Sequence, residues 1–302
     1  MNNVLKQTAK LHGDRLQIIS VEHLADLQKE LEDFKKSDEL NGFQQWIVEN
    51  LYQYDIPKTE YEVRSIILLA VHRPFCAKVE LSYQGQIYKT RSLVHAQHQE
   101  AKSYLTQALN LQGYHAYEVG NLSMKRLAVQ SGLAVYGRNN ITYVEDLGSN
   151  LSYLTFFSDA PCEVDEWRKV CHAEICNTCN HCVEQCPTGA IRKDRFLIDN
   201  QRCLSCLNES GGEFPDWLPE DVHHTLYDCL RCQEKCPLND PAYKDVIGPI
   251  CFSEEETTKL LDGKRLQDFS EEFKIKAEQI GLFDWPEGLP RNIRAIMKAQ
   301  DY

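Results

Sequence analysis

Between Cys176 and Pro187 the chain reads CNTCNHCVEQCP, four cysteines in a C-x2-C-x2-C-x3-C-P run. That is the ligand spacing of bacterial ferredoxins that hold two [4Fe–4S] clusters. Three thiolates at intervals of three residues wrap a short loop around one cubane, and main-chain amides of the loop can face its sulfurs. The fourth, stiffened by the following proline, faces out of the loop and serves the other cluster. A zinc site of four cysteines is built from two pairs instead, and this run is a poor match to it.

The run has a shorter echo: CNHCVEQCP (Cys179–Pro187) returns as CLRCQEKCP (Cys229–Pro237). A complete second run would put a cysteine at position 226, where the chain has Leu226. By the crossing rule Cys236 joins Cys176, Cys179 and Cys182 on the first cluster, while Cys229 and Cys232 join Cys186 on the second. The second cluster is then one ligand short, and Cys203 or Cys206 must supply it. Cys76, Cys162, Cys171 and Cys251, with the unused member of that pair, read as small buried apolar residues.

Eleven of the thirteen cysteines fall in residues 161–240, a stretch with little regular periodicity. Such a segment builds no core alone and needs metal crosslinks. Residues 1–160 have a different texture. Val21–Phe34 carries helical apolar spacing, Ser65–Val71 (SIILLAV) is an apolar run that predicts a buried strand, and His95–Gly113 predicts a helix stopped by glycine. Tyr114–Val119 predicts a strand, Leu122–Gly132 a helix and Leu151–Phe157 a further strand, together an α/β sandwich. The tail to Tyr302 reads as helical, with Phe269 and Phe273 on one turn. The expected division is 1–160 α/β, 161–240 ferredoxin-like and 241–302 helical.

Length and charge narrow the function. The chain has 302 residues and a formal net charge of −12, which disfavours broad contact with nucleic acid. No apolar run is long enough to span a membrane, and the start lacks the pattern of a secretory signal. The expectation is a cytoplasmic protein, where thiols stay reduced and a cysteine cluster means metal or redox chemistry. Two clusters need an electron acceptor, and that acceptor must lie in the first 160 residues.

The motifs CNTCNHCVEQCPTGAI (Cys176–Ile191), QRCLSC (Gln201–Cys206), YDCLRCQEKCPLN (Tyr227–Asn239) and SGLAVYGRNNITYV (Ser131–Val144) resemble the epoxyqueuosine reductases. These are cobalamin-dependent iron–sulfur reductases related to reductive dehalogenases. The likeness runs from about Ser65 to Asn239, with a short echo at LPRNIRAI (Leu289–Ile296). In the upstream loop Gly132, Leu133, Gly137 and Asn139 match the family form, and Arg138 stands for its lysine.

The resemblance implies the rest of the reading. It favours Cys203 as the displaced ligand, because the family's lone cysteine follows an arginine as Cys203 follows Arg202. It implies a nitroreductase-like sandwich that holds cobalamin near the proximal cluster, with Tyr136, Gly137, Arg138 and Asn139 as contacts. The D-x-H-x-x-G pattern that gives cobalt a histidine in other enzymes is absent, as the family leads one to expect. Glu118 falls where the family has an acid that donates a proton. A reduced ferredoxin or flavodoxin is the implied electron donor. tRNA is the implied substrate, although LFDWPEGLPRN (Leu282–Asn292) is acidic where the family is basic and the chain stops without the helical-repeat tail. Arg291, Arg294 and Lys298 remain as a small basic face. The alternatives are a corrinoid reductase of another substrate and an electron carrier with no substrate of its own.

Overall fold

The computed structural model describes residues 1–36, 39–239 and 245–301. In chain order the elements are α1 (Asn2–Leu11), β1 (Arg15–Ser20), α2 (Leu24–Lys35), α3 (Gly42–Asn50), β2 (Ser65–His72), β3 (Cys76–Tyr83), β4 (Gln86–Ser92), α4 (His98–Asn110), β5 (Ala116–Val119) and α5 (Met124–Gln130). They continue with β6 (Ala134–Tyr136), β7 (Thr142–Val144), β8 (Leu151–Ser158), α6 (His181–Gln185), α7 (Leu204–Glu209), α8 (Arg231–Glu234), β9 (Val246–Phe252), α9 (Glu254–Leu261), α10 (Glu271–Gln279) and α11 (Leu289–Gln300). The chain divides into two compact units that interleave along the sequence: Met1–Arg73, Ala96–Asn180 and Lys193–Leu197 in one, Pro74–His95, His181–Arg192 and Ile198–Tyr302 in the other.

The first unit is built on an antiparallel sheet of order β1-β2-β8-β5. Strand β2 is apolar at every position from Ile66 to Val71 because both of its faces are covered. Ile67, Leu69 and Val71 pack with Leu5 and Ala9 of α1 and Ala101, Leu105 and Leu109 of α4. Ile66, Leu68 and Ala70 pack on the other side with Leu24 and Leu27 of α2 and Leu127 and Ala128 of α5. A mixed α/β layered unit is what the apolar patterns predict. Element ends move inward: the helix expected at 95–113 runs His98–Asn110, and the one expected at 21–34 begins with a 3-10 turn, Val21–His23, whose Glu22 N–H is capped by Ser20.

The second unit has a sheet of order β4-β3-β9, with β3 antiparallel to β4 and parallel to β9. Ala77, Val79 and Leu81 of β3 join Phe252, Phe273, Ile293 and Ile296 in its core. Gly248 sits at φ 93°, where a Cβ would lie 2.7 Å from the Lys78 carbonyl, so only glycine lets β9 close on β3 at this point. The tail is therefore not all helical. Phe269 and Phe273 do stack, at 3.9 Å between centroids, but Phe269 precedes α10 instead of lying in it.

The division differs from the one expected at 160 and 240. The β3–β4 hairpin pairs with β9, far along the chain, and so belongs to the second unit. The 161–240 segment is shared between the two, and its expected end at residue 240 lies outside the described residues.

Candidate iron–sulfur and cofactor site

The upstream loop is a tight hairpin turn joining β6 to β7. Gly137 donates to the Ile141 carbonyl at 2.8 Å, and Asn140 turns the chain at φ 60°. A Cβ on Gly137 would lie 2.6 Å from Tyr143 and 2.7 Å from Asn139 Oδ1, so the turn requires glycine there. Asn139 is buried and donates from Nδ2 to the Tyr143 hydroxyl at 2.8 Å. Tyr136 is also buried, its ring edge-on to Phe196 at 5.0 Å. Burial pushes its hydroxyl well above the ordinary tyrosine range. Gly137 and Asn139 thus serve the turn itself.

The loop meets the start of the cysteine run within the first unit. Tyr136 forms a parallel bridge with His172: its N–H donates to the Cys171 carbonyl at 3.1 Å, and its carbonyl accepts from Ala173 N–H at 2.8 Å. Ala173 in turn accepts from Cys176 N–H at 3.0 Å. Arg138 closes the connection, donating from Nη2 to the Cys176 carbonyl and from Nη1 to the Lys193 carbonyl at 3.3 Å. Among the described residues its buried Nε has no partner.

In the second unit α6, with Cys182, lies against α8, with Cys232, which brings the helical parts of the cysteine duplication side by side. Cys186 follows α6, and its sulfur lies 3.7 Å from Thr188 Oγ1. The Thr188 carbonyl accepts from Arg202 Nε at 3.0 Å, which sets Cys203 at the start of α7. Cys229 N–H donates to Ser205 Oγ at 3.0 Å. A hydrogen-bonded path therefore links the backbone around Cys186, Cys203 and Cys229. Leu226 is fully buried in the apolar core beside Leu289 and Ile293, so the position that a complete second run would give to a cysteine is a packing position.

The Cys203 thiol is held down to about 6 by a hydrogen bond from the Cys206 thiol, with further bonds from the N–H groups of Cys206 and Ser205, against the opposing effect of burial. Burial instead pushes Cys229 up to about 11. Donors gathered around one sulfur suit a metal-bound thiolate. Among the described residues there is no disulfide. Nor do three or more His, Cys, Asp or Glu side chains converge as a single metal ion would require.

The remaining cysteines divide. Cys76 is buried beside Phe75 and Leu230, and Cys171 packs against the first unit's core. Cys162 donates to the Ile18 carbonyl at 3.5 Å. Cys251 departs from the expectation of a buried apolar residue: it is exposed on β9, 3.8 Å from Glu80.

Glu118 lies on β5 opposite Phe156, hence on the α1 and α4 side of the sheet, and pairs with Lys102 at 2.7 Å. Tyr136 packs with Phe157 on the other side. The structure does not bring Glu118 to the loop. The cations expected as a basic face are engaged inside the second unit. Arg291 donates to the carbonyls of Gly212 and Leu207 at 2.7 Å each and lies 3.8 Å over Phe214. Arg294 donates to the Leu261 carbonyl, and Lys298 pairs with Glu220 at 2.6 Å. Sequence reading missed the part played by Arg138, since the loop's contact with residues 171–176 and 193 exists only in three dimensions.

Residues 175–239 match the family described as the 4Fe-4S double cluster binding domain. Two curated relatives are the epoxyqueuosine reductases of Bacillus subtilis (strain 168), 31% identical over 160 residues, and of Cyclobacterium marinum, 30% identical over 180 residues. These matches cover 53% and 57% of this chain but 40% and 54% of those proteins, so the chain spans about half the length of the curated relatives it matches. In three dimensions the chain matches the epoxyqueuosine reductase of Bacillus subtilis with a TM-score of 0.67 at 20% identity, covering 98% of this chain and 80% of that one. A structure of an epoxyqueuosine reductase with a modified tRNA stem loop matches with a TM-score of 0.63, also at 20% identity and with the same coverage. The chain resembles the epoxyqueuosine reductases in sequence, has their fold, and carries a double [4Fe–4S] cluster-binding domain.

Proposed function

We propose that the chain is an iron–sulfur reductase of the epoxyqueuosine reductase type, with two [4Fe–4S] clusters and a corrinoid as cofactors. The observation that carries this reading is the junction of the Tyr136–Asn139 turn with the Cys176 segment, through the Tyr136–His172 bridge and the Arg138 bond to the Cys176 carbonyl. A plain electron carrier has no need of a separate loop bound to its cluster segment.

By their spacing, Cys176, Cys179, Cys182 and Cys236 hold the first cluster. Cys186, Cys229 and Cys232 hold the second with Cys203, whose sulfur receives the hydrogen bonds that a bound thiolate needs. Of the four loop residues, Arg138 retains a buried N–H to offer a cofactor, and Gly137 keeps the backbone bare of a side chain. When bound, a corrinoid supplies a cobalt centre able to pass electrons from the clusters to a substrate. The protein's part is to fix the loop against the cysteine segment and to keep the distance between them constant. Proton delivery is also needed, and Glu118 serves only if its carboxylate leaves Lys102. A reduced ferredoxin or flavodoxin fits as electron donor.

The substrate by this reading is a tRNA bearing epoxyqueuosine, the class of molecule seen with the relative described above. A second reading, a corrinoid reductase of a small substrate, is favoured by one observation: Arg291 and Arg294 direct N–H groups to carbonyls within the chain, Lys298 pairs with Glu220, and the net charge is −12. The test is anaerobic turnover of an epoxyqueuosine-bearing tRNA stem loop by the cobalamin-loaded protein. Turnover supports the first reading. Corrinoid binding without turnover or salt-sensitive RNA binding moves it to the second. No corrinoid binding leaves the electron carrier.

A further inference from the structure

We propose that Arg138 sets the reduction potential of the cluster that Cys176 serves. The inference rests on the two-cluster reading and adds a role for one residue of this chain. Arg138 fastens the cysteine segment by two main-chain carbonyls, those of Cys176 and Lys193. Both bonds go to neutral acceptors. Among the described residues no carboxylate pairs with it, and its third N–H position, Nε, is buried without a partner. The guanidinium therefore keeps a whole positive charge, half-buried, hydrogen-bonded to the backbone of a cluster ligand.

A [4Fe–4S] cluster with four thiolates is an anion that gains one more negative charge on reduction. A fixed cation beside it stabilises the reduced form more than the oxidised one, and partial burial weakens the screening by water. The direction follows: Arg138 raises the midpoint of the first cluster and makes it the easier one to reduce. Cys176 is the cluster ligand whose backbone Arg138 holds, so the first cluster is the one its charge is expected to move. Arg138 is thus a positioning and tuning residue.

The test is a redox titration, followed by electron paramagnetic resonance, of the reconstituted full-length protein as wild type, Arg138→Gln, Arg138→Lys and Asn140→Asp. Arg138→Gln is expected to keep about eight irons and to shift one of the two reduction steps to more negative potential, with the other unmoved. Arg138→Lys keeps the charge and is expected to keep that step near wild type. Asn140→Asp is tolerated at the left-handed φ of 60° and places an anion on the same turn. It is expected to move the same step in the same direction, and it remains informative if Arg138→Gln sheds iron. Arg138→Gln with full iron and both steps unchanged overturns the proposal. So does Asn140→Asp with both steps unchanged, or Arg138→Lys falling as far as Arg138→Gln. A wild type that binds only half the iron overturns the two-cluster reading instead.

Discussion

The main-chain N–H of Cys229 donates to the hydroxyl of Ser205 at 3.0 Å, which ties the second half of the cysteine duplication to the short helix that begins after Cys203. In the ligand set proposed above, that bond brings the neighbourhood of Cys203, outside the repeated run, to the half of the repeat that lacks a cysteine. It leads to the first prediction. Cys203→Ala should reduce reconstituted iron from about eight to about four per chain, while Cys206→Ala should keep about eight. Equal iron in both variants, measured by colorimetric iron and sulfide assay, would mean that the two thiols replace each other.

Leu226 occupies the position of the missing cysteine and is fully buried among apolar side chains. Leu226→Cys should therefore cost stability, about 1–3 kcal/mol as a shortened core side chain, and should not rescue Cys203→Ala. The double variant is the measurement. Recovery of the lost iron would show that position 226 still reaches the cluster.

The hydrogen bonds around Cys203 give a pH prediction for the protein before cluster loading. With its thiol held down to about 6, Cys203 is a thiolate at neutral pH, whereas Cys229, pushed up to about 11, is a thiol. Iodoacetamide labelling followed by mass spectrometry should modify Cys203 before Cys229 at pH 7. The Cys203 rate should fall as pH drops below about 6, because protonation removes the nucleophile. A rate for Cys203 that keeps rising up to pH 9 would contradict the arrangement.

Much of the first unit was legible because its signals are local. Ile66 to Val71 is apolar on both faces, and the strand formed where the run lies. The β3–β4 hairpin was missed although Ala77, Val79 and Leu81 alternate with Lys78 and Glu80, and although Gln84–Gly85, both at positive φ, make a turn. Strand β9 was less legible: Gly248 and Pro249 interrupt it, and its parallel partner β3 lies far away in sequence. That pairing is also why the units interleave. At the site, cysteine spacing carried the cluster reading, since a cubane constrains its ligands wherever the chain goes. The surroundings of Arg138, Glu118 and Arg291 depend on which loops meet, and no local pattern encodes that.

Glu118 gives the next prediction. Its carboxylate pairs with Lys102 on the face of the sheet away from Tyr136. Glu118→Gln should leave turnover near that of the wild type. A fall of roughly 10²–10⁴-fold with both cofactor spectra intact, the size of a lost general acid, would restore Glu118 as the proton donor.

Arg291 is half-buried, bonded to two carbonyls and stacked on Phe214. Arg291→Ala should lower stability by about 1–3 kcal/mol through lost packing and unpaired carbonyls, visible in the denaturant midpoint. A variant with unchanged stability and weakened, salt-sensitive binding of a tRNA stem loop would assign this arginine to the substrate instead.

The central claim is that this chain holds two cubanes, one of them with a displaced ligand. Anaerobic reconstitution followed by iron, sulfide and zinc analysis tests it most directly. Two cubanes require about eight irons and eight sulfides per chain with negligible zinc. About four irons and four sulfides in fully reconstituted protein, or zinc at the cysteine segment, would contradict it.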